Sequence, residues 1–92
     1  MRFTWDPRKA ASNVRKHGVS FEEATTVFAD PLARIVEDAV HAERALIVGE
    51  SIARRILVTV YVEIEEDETR IISARKATRP ERRLYEAGEK EA

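Results

Sequence analysis

Arg70, Arg75, Lys76, Arg79, Arg82 and Arg83 fall within one stretch that ends at Tyr85, and Glu81 is the only acid among them. Arginine carries a permanent charge on a planar fork that grips phosphate oxygens two at a time. The stretch reads as a strand running straight into a helix. Ile71, Ile72 and Ala74 form an apolar run, and Thr78 with Glu81 then forms a Thr-x-x-Glu capping box with Pro80 in the first helical turn. Cations gathered at a helix N-terminus, where unpaired N–H groups also point outward, make an anion site. Arg75, Lys76, Arg79 and Arg83 are therefore candidate phosphate ligands. Arg79, Arg82 and Arg83 share one helix ridge by i+3 and i+4 spacing. On a regular strand Ile71, Ser73 and Arg75 face one way and Ile72, Ala74 and Lys76 the other, so Arg75 and Lys76 meet one ligand only if the strand ends or bulges. The competing reading is a solvated cationic face, or pairing with the acidic block Glu63, Glu65, Glu66, Asp67 and Glu68.

Other chemistry-bearing residues are sparse. His17 follows Lys16 at a tight turn, whereas His41 sits in a polar loop, and the two show no metal-ligand spacing. The chain has no cysteine, so disulfides and thiolate metal sites are excluded and a reducing compartment is expected. Three glycines in all make no phosphate loop, and no cofactor or metal is expected. Trp5 and Tyr61 have rings that can stack on bases, but core packing is the plainer reading for Trp5. Tyr85, beside Arg82 and Arg83, is the better candidate for stacking or proton transfer.

The elements that must position these residues follow from caps and periodicity. Phe3–Trp5 reads as a short strand. Asp6-Pro7 opens a helix that Gly18 closes near His17, with Ala10, Ala11 and Val14 as its thin apolar face. Ser20 and Glu23 suggest a second capping box, and Phe21, Ala24, Val27 and Phe28 form a core stripe that ends at Asp30-Pro31. Strands are expected at 34–38, 44–50, 55–64 and 70–76, the third long, β-branched and central. Short polar loops favour antiparallel neighbours. A last helix is expected over 79–87, with Gly88 as its stop. A chain of 92 residues with net charge −1 suits one small α+β domain. In it two N-terminal helices lie on a four- to five-stranded, mainly antiparallel sheet, with a C-terminal helix after the last strand. No apolar run is long enough to span a membrane and no secretory leader is evident, so a cytoplasmic location is expected.

Phe3-x-Trp5-Asp6, Asn13-x-x-Lys16-His17-Gly18-Val19-x-Phe21-x-x-Ala24, Val27-Phe28-x-Asp30 and Arg70-Ile71-Ile72-Ser73-Ala74-Arg75-Lys76-Ala77-Thr78, followed by Glu81-Arg82-x-x-Tyr85-Glu86, together resemble the BrnT family of toxins from type II toxin–antitoxin systems. The resemblance runs from Phe3 to Glu86 and is loose over residues 32–69. It implies a single RelE-like domain over 1–92 that arrests translation by metal-independent RNA cleavage and is neutralised by a BrnA-type antitoxin. It also implies that operator DNA is met only through the antitoxin, and that the toxin is a monomer alone and hetero-oligomeric in the complex. On that footing Arg75 is the expected phosphate clamp, with Lys16, His17 and Tyr85 as further catalytic candidates. Lys76, Arg79, Arg82 and Arg83 are the expected RNA contacts. Two other classes stand beside this one: a nucleic-acid-binding module without chemistry, and a protein-binding module whose basic patch receives an acidic partner.

Overall fold

The structure, a computed structural model, describes residues 1–91, with side chains described through Gly88. Its elements run β1 (Arg2–Thr4), α1 (Pro7–His17), α2 (Phe21–Thr26, continued by a 3-10 turn Val27–Ala29), β2 (Arg34–Glu37), β3 (Ala45–Glu50), β4 (Ile56–Glu65), β5 (Glu68–Lys76) and α3 (Arg79–Glu91). One sheet has the order β1-β5-β4-β3-β2. Every pairing is antiparallel except β1 with β5, which is parallel. The α+β architecture expected from the sequence is therefore the one observed.

The helix starts follow the cap chemistry. Asp6 accepts the Arg8 N–H at 2.8 Å. Gly18 takes φ +67° and donates its N–H to the Val14 carbonyl at 2.8 Å, a backbone shape that favours glycine. Ser20 Oγ accepts the Glu23 N–H at 3.0 Å. The reciprocal half of that second box does not form, because the Glu23 carboxylate turns to Arg55 and Ser51 instead. α3 does not stop at Gly88. The missing Cβ there leaves room for the Arg34 side chain, which lies against the helix and reaches the Leu84 carbonyl at 3.4 Å.

Alternation along the strands gives the sheet two covered faces. Leu57, Thr59, Tyr61 and Ile47 point toward α1 and α2, forming the main core with Val19, Phe21, Ala24, Val27, Ile71 and Ala74. Trp5 packs edge-on to Phe21, and Phe28 packs against both Phe3 and Tyr61, so Trp5 and Tyr61 serve the core and not base stacking. On the opposite face Val48 and Val58 pack against Tyr85 of α3. The Tyr85 hydroxyl donates to Asp30 Oδ2 at 2.6 Å, and Asp30 also accepts the N–H groups of Glu50 and Leu32. Burial pushes the Asp30 pKa up, but these three donors outweigh it and leave the carboxyl below its usual range.

Two details shape the edge near the basic stretch. Tyr61 pairs with Ile71 and Val60 with Ser73, so Ile72 is the extra residue of a β-bulge. The bulge lets Ile71 and Ala74 both reach the main core and sets Ser73 and Arg75 on the α3 face, which strict alternation over 71–76 does not allow. Beyond Arg70, β1 no longer pairs with β5. The buried Asn13 amide takes over there, accepting the Ala74 N–H at 3.1 Å and donating to the Ala74 carbonyl at 2.7 Å. The buried face of α1 is thus built on Asn13 and Ala10; Val14 and Ala11, expected inside, are exposed.

Candidate active site

The strand-to-helix junction that stood out in the sequence exists: β5 ends at Lys76 and α3 begins at Arg79. Thr78 and Glu81 form both halves of their capping box. The Thr78 N–H donates to Glu81 Oε1 at 2.8 Å, and the Glu81 N–H donates to Thr78 Oγ1 at 3.4 Å. Glu81 does more than cap. Its carboxylate accepts two hydrogen bonds from the end of the Arg75 guanidinium, Nη1 to Oε1 at 2.7 Å and Nη2 to Oε2 at 2.9 Å. The Arg75 hydrogen bonds hold the Glu81 carboxyl down to a pKa of about 2, against a smaller upward push from burial and with help from Thr78.

A second group of cations comes from the connection between β3 and β4, Arg54 in the turn and Arg55 just before β4. The β3–β4 turn closes with Arg54 N–H on the Ser51 carbonyl at 2.9 Å and Ser51 N–H on the Arg55 carbonyl at 2.8 Å. Arg54 sits there at φ +64°, a left-handed shape that costs a non-glycine residue about 1 kcal/mol. Arg54, Arg55, Ile56, Lys76, Ala77 and Arg82 line a cleft of about 290 Å³ with no carboxylate in its wall. Only tertiary pairing could have revealed it, since the turn and the junction are far apart in sequence. Next to it, Arg79, Arg82 and Arg83 border a shallow concavity shared with Glu86. The expected ridge of arginines on α3 is therefore present, and Lys76 joins it at the strand end.

Not every expected residue belongs to this cluster. Lys16 and His17 are exposed at the end of α1, on the other face of the sheet, beside Ile72 and Ser73 of the open β5 edge. Gly18 accepts a hydrogen bond from Arg55, which places this end of α1 at the same end of the sheet as the cationic cleft. Tyr85, expected at the site, is buried at 5% exposure with its hydroxyl on Asp30, and anchors α3 instead. The acidic block does not neutralise the junction. It occupies the far end of the β4–β5 hairpin, where Glu68 pairs with Arg2 at 3.1 Å. β5 carries Arg75 about 23 Å away from Glu68 at roughly 3.3 Å per residue. His41 lies 3.7 Å from Asp38 in its own loop. Among the described residues, no group of three or more histidine and acidic side chains gathers where a metal ion would sit.

Residues 5–81 match the family described as the ribonuclease toxin, BrnT, of type II toxin–antitoxin systems. The chain belongs to that family. The crystal structure of the Brucella abortus ribonuclease toxin, BrnT, superposes with a TM-score of 0.71 at 23% identity, over 86% of this chain and 99% of that one. At that identity the likeness is one of fold. No curated relative matches the chain. Membership in this BrnT family supports an RNA-cleaving toxin with RNA as substrate and an antitoxin as partner. No helix among the described residues is long and apolar enough to cross a membrane.

Proposed function

We propose that this protein is an endoribonuclease toxin that inhibits translation by cutting RNA without a metal ion, and that a BrnA-type antitoxin neutralises it. The observation that carries this reading is the cleft of Arg54, Arg55, Lys76 and Arg82, cationic on every charged side, with Arg75 preceding Lys76 at the end of β5. Metal-independent cleavage removes the proton from a 2′-OH, which attacks the adjacent phosphorus. The 5′-oxygen of the next nucleotide leaves with a proton, giving a 2′,3′-cyclic phosphate and a free 5′-OH. Negative charge builds on the phosphate oxygens in between, and fixed cations stabilise it.

In this scheme Arg75 grips the scissile phosphate. Lys76, Arg79, Arg82 and Arg83, joined by Arg54, hold the flanking backbone. Lys16 and His17 meet the RNA where it passes over the open edge of β5 and position the strand there. Tyr85 acts only by fixing α3 to the sheet. An antitoxin with an acidic segment competes for the same cleft, which couples inhibition to charge pairing.

The test uses purified protein and a defined RNA in the presence of EDTA, with product ends analysed. The reading expects cyclic-phosphate ends that disappear in Arg75→Ala. Intact RNA from folded wild-type protein overturns the enzyme reading; if that protein still binds RNA with a steep salt dependence, the module without chemistry replaces it.

A further inference from the structure

We propose that Glu81 is a positioning residue for RNA cleavage: it clamps one edge of the Arg75 guanidinium so that the other edge is presented, fixed, to the phosphate. The inference rests on Arg75 being the phosphate ligand.

A guanidinium offers donors along two kinds of edge. The end-on edge uses both η nitrogens; the side-on edge uses Nε and Nη2. In Arg75 the end-on edge is consumed by Glu81, at 2.7 and 2.9 Å, and Nη1 also leans on the Lys76 carbonyl at 3.4 Å. None of the hydrogen bonds among the described residues uses Arg75 Nε. The side-on pair remains, with the spacing of two phosphate oxygens. Arg55 is the internal control. Its Nε and Nη2 both go to Glu23, and Nη2 also reaches the Gly18 carbonyl at 3.1 Å. Its side-on edge is spent, so Arg55 lines the cleft as a charge but has no such fork left to offer.

The clamp is itself held. Glu81 accepts the Thr78 N–H while standing in the first turn of α3, so the carboxylate cannot swing away without breaking the cap. Arg75 is 37% exposed and Glu81 25%, which leaves the pair at a solvent boundary where RNA can reach the arginine. A long arginine side chain that must be ordered in the transition state loses rotamer freedom; a carboxylate that orders it beforehand removes that cost from the chemical step. Glu81 therefore acts on turnover more than on binding.

Glu81→Gln separates the two jobs of this residue. Glutamine keeps the capping box, because its Oε1 accepts the Thr78 N–H, but it loses the charge that clamps Arg75. We expect a modest fall in thermal stability at neutral pH, kcat per folded molecule on a defined RNA lowered about 10- to 100-fold, and KM moved less than about threefold. Glu81→Asp, which keeps the charge on a shorter stem, should recover part of kcat. The Arg75 Nε–H resonance gives a second readout. In wild type it should shift on adding a 2′-O-methyl RNA that cannot be cut, and in Glu81→Gln it should broaden before RNA is added. Full kcat in Glu81→Gln, with Arg75→Ala inactive, overturns the clamp and leaves the phosphate role of Arg75 standing. Faster cleavage or tighter RNA binding in Glu81→Gln also overturns it, since Glu81 would then be a competitor for Arg75. Full activity in Arg75→Ala overturns both readings.

Discussion

Glu23 and Glu81 hold the same place in two helices. Each is the third residue after a Ser or Thr cap, each is bound by an arginine near the end of a strand (Arg55 just before β4, Arg75 in β5), and each has its pKa lowered chiefly by that arginine. The surroundings make the two pairs different. Glu23 also accepts the Ser51 hydroxyl at 2.7 Å, and its arginine reaches back to Gly18, so the group ties α1, α2 and the β3–β4 turn together. The Glu81 pair ties β5 to α3, and the Nε of its arginine takes part in none of the hydrogen bonds among the described residues. A shared sequence signature thus yields one closed knot and one open fork. The difference lies in which edge of the guanidinium the carboxylate takes.

Breaking each pair should separate activity from stability. Arg75→Ala should lower RNA cleavage on the order of 10²–10³-fold, in line with removing one charged transition-state contact, a loss far larger than its modest fall in the thermal midpoint accounts for. Equal losses of melting temperature and activity would make the two pairs alike. Arg55→Ala leaves Glu23 one of its three side-chain donors and should cost about 2 kcal/mol, a fall in Tm of roughly 10 °C, while kcat per folded molecule is retained and RNA binding weakens by the loss of one cleft charge. Tyr85→Phe removes the hydroxyl donor to Asp30 and should cost about 1–2 kcal/mol. Cleavage by the folded fraction should stay intact, and a selective loss of kcat there would return Tyr85 to the catalytic group.

Acid sharpens the comparison. Glu81 has a folded-state pKa of about 2 against 4.5 for the free side chain, and Glu23 is lowered as well. The unfolded chain binds more protons than the folded one between those values. The stability from the Glu81 pair is therefore complete above pH 4.5 and is lost as pH falls toward 2, and that from the Glu23 pair has the same sign and is also lost on acidification. Denaturant melts across that window should show a flatter acid limb in Glu81→Gln and in Glu23→Gln; an unchanged limb would mean the pairs persist in the unfolded chain. The smallest effect belongs to Arg54→Ala, which should weaken RNA binding evenly across sequences and reduce the salt slope by about one ion. An unchanged slope would remove the β3–β4 turn from the RNA path.

Caps, strand periods and local charge runs were legible in the chain because they depend on neighbours within one turn or one strand. Asp6, Gly18, Ser20 and the Thr78–Glu81 box each fixed a boundary that the fold uses. Gly88 misled because its value lies in a contact with Arg34, far away in sequence, and not in a helix end. Val14 misled for a related reason, and Asn13 is buried in its place. Helical periodicity favours the apolar side chain, but the sheet edge at Ala74 needed an amide to fill its ladder. Tyr85 looked available beside two arginines until α3 was laid across the sheet and turned its ring onto Val48 and Val58.

The sequence by itself determined the α+β elements, their caps and the concentration of arginines where β5 becomes α3, since all of these are set by local propensity and spacing. Tertiary structure alone decided which cations stand together. The bulge at Ile72 set the face of Arg75, the hairpin brought Arg54 beside Lys76 and Arg82, and the two arginines met their glutamates by different edges. Those outcomes depend on register and on contacts across dozens of residues, which no local pattern encodes.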